Sequence, residues 1–157
     1  MKSFLRACAT NFVFNLKTIG MLVMLWSLTW GTYAQNFTEP WKPHQLLPTK
    51  ELAERINNNN MENTVLINIG PAATIKNSYD IGAGGEIKNV EKLSNYLKTV
   101  QKDKEIVIYC GCCPFDVCPN IRPAFKAVIN SGFKHVKLLN IKDNIKVDWI
   151  DKGYPIN

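Results

Sequence analysis

Apolar residues along the chain fall into short runs separated by amphipathic stretches. Thr64 to Ile69 reads Thr-Val-Leu-Ile-Asn-Ile before the stop signal Gly70-Pro71, which predicts a buried strand. Glu105-Ile106-Val107-Ile108-Tyr109 is the strongest such run, and its nearly unbroken apolar character implies cover on both faces, as in a parallel sheet. His135-Val136-Lys137-Leu138-Leu139 predicts a further strand. Between these runs the period changes to that of a helix. Thr49 is placed to cap a helix with Leu52, Ala53 and Ile56 on one face, and Asn57 to Asn60 end it in a polar loop. Asn89 is placed to cap a second, in which Val90, Leu93, Leu97 and Val100 repeat at three and four residues. Arg122-Pro123 opens a third, with Phe125, Val128 and Ile129 as its stripe and Gly132 as its left-handed stop. Asp148-Trp149-Ile150 begins a last short turn. Strands alternating with helices predict an α/β fold: an open, mostly parallel sheet with helices on both faces.

The beginning of the chain follows a different pattern. Lys2, Arg6 and Lys17 precede an apolar run from Ile19 to Trp30 that ends in Gly31-Thr32-Tyr33-Ala34-Gln35, the layout of a secretory signal with cleavage after Ala34. The run is roughly a dozen residues, whereas a membrane-spanning helix needs about 20, so no stable membrane span is expected after cleavage; an uncleaved anchor, for which the long front flank leaves room, is the weaker alternative. The expected organisation is a signal peptide over 1–34, an extended lead-in over 35–48 with prolines at 40, 43 and 48 around Trp41, and one domain over 49–157. The expected location is outside the cytoplasm, periplasmic or secreted.

Charge and composition then narrow the function. Removing residues 1–34 takes away three basic side chains and no acidic ones, leaving 16 Lys+Arg against 13 Asp+Glu. That surplus is too small and too scattered for a nucleic-acid surface. The glycine-rich stretch from Ile81 to Gly85 lacks the Gly-x-Gly-x-x-Gly spacing and does not directly join a strand to a helix, so it does not read as a nucleotide site. His44 and His135 have no ligand partner at helical spacing, and Trp41, Trp149 and Tyr154 read as core or lid aromatics.

Four cysteines remain in the mature chain, and all lie between Cys110 and Cys118. A structural disulfide framework spreads its cysteines to close long loops, so this crowding points to a site. Cys110 follows the strongest strand and a loop leads from it into a helix, where amide hydrogens and the helix dipole favour a thiolate. Arg122 is a candidate positive charge for a donor anion, and Gly111 a candidate for a tight turn that forms an amide cradle. Gly111, Cys112, Cys113, Pro114, Phe115 and Cys118 form the candidate substrate loop. Asp116 reads as a solvated loop carboxylate. Cys112, Cys113 and Cys118 are placed to resolve an oxidised Cys110, and Cys118 is a rival nucleophile. Zinc or copper(I) bound by the thiolates and a disulfide from Cys118 to Cys112 or Cys113 remain alternatives, although the second Cys-x-x-Cys knuckle of a zinc site is absent. No metal ligands and no cofactor are assigned.

The segment from Ile106 to Cys110, the helix ending Ser131-Gly132-Phe133, the run Val136 to Leu139, Trp149 and Gly153-Tyr154-Pro155 together resemble a rhodanese-like domain, over most of residues 46–155. Asn68 and Gly70 stand where that family usually has an aspartate and an arginine, and Cys110 meets its first downstream arginine only at Arg122. The resemblance implies that Cys110 carries a persulfide sulfur, taken from thiosulfate or a similar small anion and passed to a thiol or cyanide. An exported binding module for a soft metal or protein partner and a thiol redox protein are the alternative expectations. Fold alone does not separate them.

Overall fold

A computed structural model describes residues 39–157. The predicted signal peptide and cleavage point lie outside the described residues. Five strands form one sheet: β1 (Leu46–Leu47), β2 (Thr64–Asn68), β3 (Tyr79–Asp80), β4 (Glu105–Tyr109) and β5 (Val136–Leu139), in the order β1-β5-β4-β2-β3. Every pairing between them is parallel. Three α-helices surround the sheet, α1 (Thr49–Asn57), α2 (Ile87–Leu97) and α3 (Ile121–Asn130), and a short π-helical turn spans Lys146–Ile150. The fold is α/β with an open parallel sheet covered on both sides.

The central strand shows why both sides are covered. Side chains alternate across a strand, so Ile106, Ile108 and Cys110 join Leu93 and Leu97 of α2 and Phe125 and Val128 of α3 in one core cluster. Val107 and Tyr109 face the other way, against Leu52, Ala53 and Ile56 of α1 and against Trp149. A parallel strand buried on both faces has no solvent side, which is why β4 lacks polar alternation.

Several boundaries differ from those the sequence predicts. The lead-in is part of the fold, because Leu46 and Leu47 pair with Leu138 and Leu139 as an edge strand and Trp41 is buried. A domain start at residue 49 is therefore too late. Pro48 occupies the cap position of α1 and makes no side-chain cap, so Thr49 is the first helical residue. Asn89 lies inside α2, where its amide donates to Ala83 O at 2.9 Å. In α3 the buried stripe is Ile121, Ala124, Phe125 and Val128, while Ile129 is exposed. Gly132 ends α3 with φ +80°, the left-handed stop expected of it.

Candidate functional site: a cysteine cluster at the carboxyl end of the central strand

Residues 110–120 leave the carboxyl end of β4, form a loop and return to the start of α3. Three short contacts set its path. Gly111 O accepts from Ile145 N at 2.9 Å, and Phe115 N donates to Ile141 O at 3.0 Å. The Phe115 ring then packs edge-on against Trp41, with centroids 6.0 Å apart. Phe115 is thus an anchor of the loop in the core. Gly111 is required for a reason other than the expected tight turn: a Cβ there would stand 2.6 Å from Ile145 Cβ.

The return of the loop brings three sulfurs together. Cys110 Sγ lies 3.3 Å from Cys112 Sγ, and Cys112 Sγ lies 3.8 Å from Cys118 Sγ. All three sulfurs lie within 4.8 Å of one another. Cys113 Sγ approaches Cys112 Sγ at 3.1 Å, and all four cysteines are free thiols. Their exposure differs sharply. Cys110 is only 1% exposed and Cys118 is buried, while Cys112 faces solvent. An open, solvent-facing Cys110 is therefore not what the fold provides; the sulfur that solvent meets first is that of Cys112. Cys110 falls on the side of β4 that faces α2 and α3, so the strand's alternation directs it inward.

The sulfur environment favours one negative charge. The Cys118 thiol, the Asn120 side-chain amide, the backbone N–H of Cys112 and the Cys112 thiol all act as donors to Cys110. Together they outweigh burial, which opposes the charged form, and hold Cys110 well below an ordinary thiol, at about 5. Burial, with the neighbouring sulfurs of Cys113 and Cys110, pushes Cys112 up to about 12. Cys118 is also pushed upward, first by its hydrogen bond to Cys110 and then by burial. These opposed shifts favour a thiolate on Cys110 with Cys112 and Cys118 kept as thiols.

Asn120 is the residue that sequence reasoning missed. Its Nδ2 donates to Cys110 Sγ at 3.4 Å, and its Oδ1 accepts from Gly85 N at 2.9 Å. It therefore ties the thiolate to the glycine-rich stretch. Close approach to Asn120 also accounts for two of those glycines: a Cβ would stand 2.7 Å from the Asn120 backbone O at Gly84 and 3.1 Å from its Oδ1 at Gly85. Gly70 serves the site similarly, since a Cβ there would meet Cys110 Sγ at 3.0 Å. Asn68, fully buried, holds that turn by accepting from Gly70 N at 3.2 Å and donating to Asp80 at 2.8 Å.

Arg122 lies at the start of α3. Its Nη2 donates to the Glu39 carboxylate and, at 2.5 Å, to Asp116 O, and the guanidinium lies 5.5 Å from the Trp41 ring centroid. These contacts join the loop, the lead-in and the helix. Pro114 O accepts from Val117 N at 3.3 Å within the loop.

No protein-family profile matches the chain, and no curated protein does. Among solved structures, a protein from Lactobacillus plantarum is similar over 80% of this chain and 99% of its own, with 14% identity and a TM-score of 0.39. At that level neither fold nor function is drawn from it. Among the described residues, no helix is long and apolar enough to cross a membrane.

Proposed function

We propose that the chain is a rhodanese-like sulfur-transfer protein in which Cys110 carries a sulfane sulfur as a persulfide. The observation that carries this reading is the hydrogen-bonded Cys110 sulfur at the carboxyl end of the central strand, with the Asn120 amide on it at 3.4 Å. Open parallel sheets bind ligands outside the carboxyl ends of their strands. With thiosulfate as donor, the thiolate pair of Cys110 attacks the outer sulfur, the donor's S–S bond breaks, and sulfite leaves with the electron pair. A thiol or cyanide then takes the outer sulfur and returns Cys110 to its thiolate.

Cys110 is buried, so reaction requires the side chains around its sulfur to move. Cys112, exposed and with its Sγ 3.3 Å from Cys110 Sγ, is on this reading the side chain that moves aside, since exposed rotamers interconvert rapidly. Arg122, tied to Glu39 and Asp116, acts on this reading as a brace that fixes the loop's return. The proposal includes export, with residues 1–34 removed.

The test is mass spectrometry of the reduced protein after thiosulfate treatment. One added sulfur is expected per chain, with fragmentation locating it on Cys110, and Cys110→Ser should take up none while keeping its circular dichroism. Uptake that persists in Cys110→Ser and disappears in Cys118→Ser would transfer the role to Cys118. N-terminal sequencing of exported protein should begin at Gln35.

The 3.3 Å contact with an exposed partner also favours a second reading, a dithiol–disulfide couple between Cys110 and Cys112. In its oxidised form an incoming substrate thiolate attacks the exposed Cys112 sulfur, and Cys110 leaves as the more stable thiolate. The mixed disulfide so formed on Cys112 is attacked at its substrate sulfur by a second substrate thiolate, so two substrate thiols leave joined as a disulfide and the Cys110–Cys112 pair ends reduced by two electrons. Under this reading a mild disulfide oxidant produces a Cys110–Cys112 link in preference to a sulfur adduct.

A further inference from the structure

Sequence spacing gives little reason to expect a metal here, because the usual tetrahedral zinc site draws two Cys-x-x-Cys knuckles from separated turns. The fold provides what the spacing conceals. Cys118 is eight residues beyond Cys110, yet the loop returns its sulfur to the same point, and both are buried where β4 and α3 meet. Cys112 closes the group from the solvent side. Among the described residues this is the one group of three potential ligands whose donor atoms converge.

We infer that Cys110, Cys112 and Cys118 form a binding site for a thiophilic d10 cation, Zn(II) or Cu(I), held by three sulfurs with a further position open to solvent. Four features carry this. The first is scale: sulfurs about 2.3 Å from a tetrahedral zinc stand about 3.8 Å from one another. The Cys112–Cys118 separation is 3.8 Å, Cys110–Cys112 is 3.3 Å, and the third pair lies within 4.8 Å. Side-chain adjustment of the exposed Cys112 alters its own two edges, while the edge between the buried Cys110 and Cys118 lies within 4.8 Å as it stands.

The second feature is ligand type. The donor set is sulfur alone, which selects soft cations over magnesium or calcium. The third is support around the ligands. Cys110 receives the Asn120 amide, and Asn120 is itself held by Gly85 N–H at 2.9 Å, the kind of outer contact that orients a metal ligand. The fourth is a path in: two ligands are fixed in the core, while the third is exposed and can receive an ion from water or from a carrier thiolate. Binding forms three metal–sulfur bonds to thiolates, and whatever protons the three thiols carry pass to solvent.

This site needs only the three sulfurs, so it does not rest on the sulfur-transfer reading. The test uses the reduced full-length chain under anaerobic conditions, titrated with Zn(II) and, separately, with Cu(I), each in competition with a chromophoric chelator. One ion per chain is expected in at least one of the two titrations, and the ion that competes identifies the natural occupant. Cys112→Ser, a surface change that leaves the core untouched, should weaken binding by about a hundredfold. X-ray absorption of the loaded wild type should show about three sulfurs at roughly 2.3 Å, a readout that needs no variant to fold. Failure of the reduced wild type to retain either ion, or unchanged affinity in the Cys112→Ser/Cys118→Ser double variant, would overturn the inference.

Discussion

Glu105 at the amino end of β4 and Cys110 just past its carboxyl end lie five residues apart and treat negative charge in opposite ways. At the amino end the Glu105 carboxylate receives Arg55 Nη1 at 2.6 Å, and Arg55 also pairs with Glu51 at 2.6 Å. At the carboxyl end the charge belongs to a sulfur, and the donors that hold it include the neutral amide of Asn120 and the thiols of Cys118 and Cys112. A carboxylate closed by a guanidinium is stable and has no chemistry left to do. A thiolate stabilised by dipoles and thiols remains a nucleophile and a ligand. The first arrangement anchors a strand, whereas the second prepares a site.

That contrast can be broken by substitution at each end. Cys110→Ser has the largest expected effect: sulfur loading falls to background, and the melting temperature near neutral pH falls as the hydrogen-bonded thiolate is lost, while the near-equal size of the two side chains preserves the fold. Mass spectrometry alongside a melting curve checks it. Gly111→Ala should destabilise the fold by about 1–3 kcal/mol in chemical denaturation, since the added methyl overlaps Ile145 at 2.6 Å. An unchanged midpoint there would mean that the loop and the Lys146–Ile150 turn are not packed as described.

Asn120→Ala acts more finely. Loss of one hydrogen bond to a charged group should raise the Cys110 pKa by about one unit, with the circular dichroism preserved. Arg55→Met should have the smallest effect, a stability loss of about 1 kcal/mol with sulfur loading intact. If Arg55→Met abolished loading, the two ends of β4 would not be independent and the comparison would fail.

The sequence made most of the fold legible, and the exceptions share a cause. β2, β4 and β5 stand out as apolar runs, and α1, α2 and α3 as helical stripes, because each is long enough to show its period. β1 and β3 are two residues each and sit at the sheet edges, so Leu46–Leu47 and Tyr79–Asp80 carry no period of their own. Their pairing is set by residues outside them: by Leu138 and Leu139, far along the chain from β1, and by Ile67 and Asn68 of β2 for β3.

At the site, the crowding of cysteines was visible but their division into buried and exposed was not, because loop orientation depends on Phe115 reaching Trp41 and Ile145 reaching Gly111. Asn120 had a plain signal that points the wrong way. An asparagine just before a helix carrying Pro123 in its first turn reads as a cap, yet here its side chain makes no cap and turns back to Cys110 and Gly85. Arg122 was legible as a charge near the loop, but its links to Glu39 and Asp116 depend on how the lead-in packs.

The central claim is that a single thiolate resides on Cys110. Its folded pKa is lowered from 9.0 to about 5, so the thiolate should persist as pH falls through the range where a free thiol is protonated. By linkage, the associated stability is complete above the unfolded thiol's pKa, declines as pH falls below it and is lost once pH passes through the folded value. The most direct measurement is a pH titration of thiolate ultraviolet absorbance in the reduced wild type and in the Cys110→Ser, Cys112→Ser and Cys118→Ser variants. The expected result is one thiolate with a midpoint near pH 5 that disappears only in Cys110→Ser. A wild-type midpoint near 9, or a low one that survives Cys110→Ser, would contradict the account.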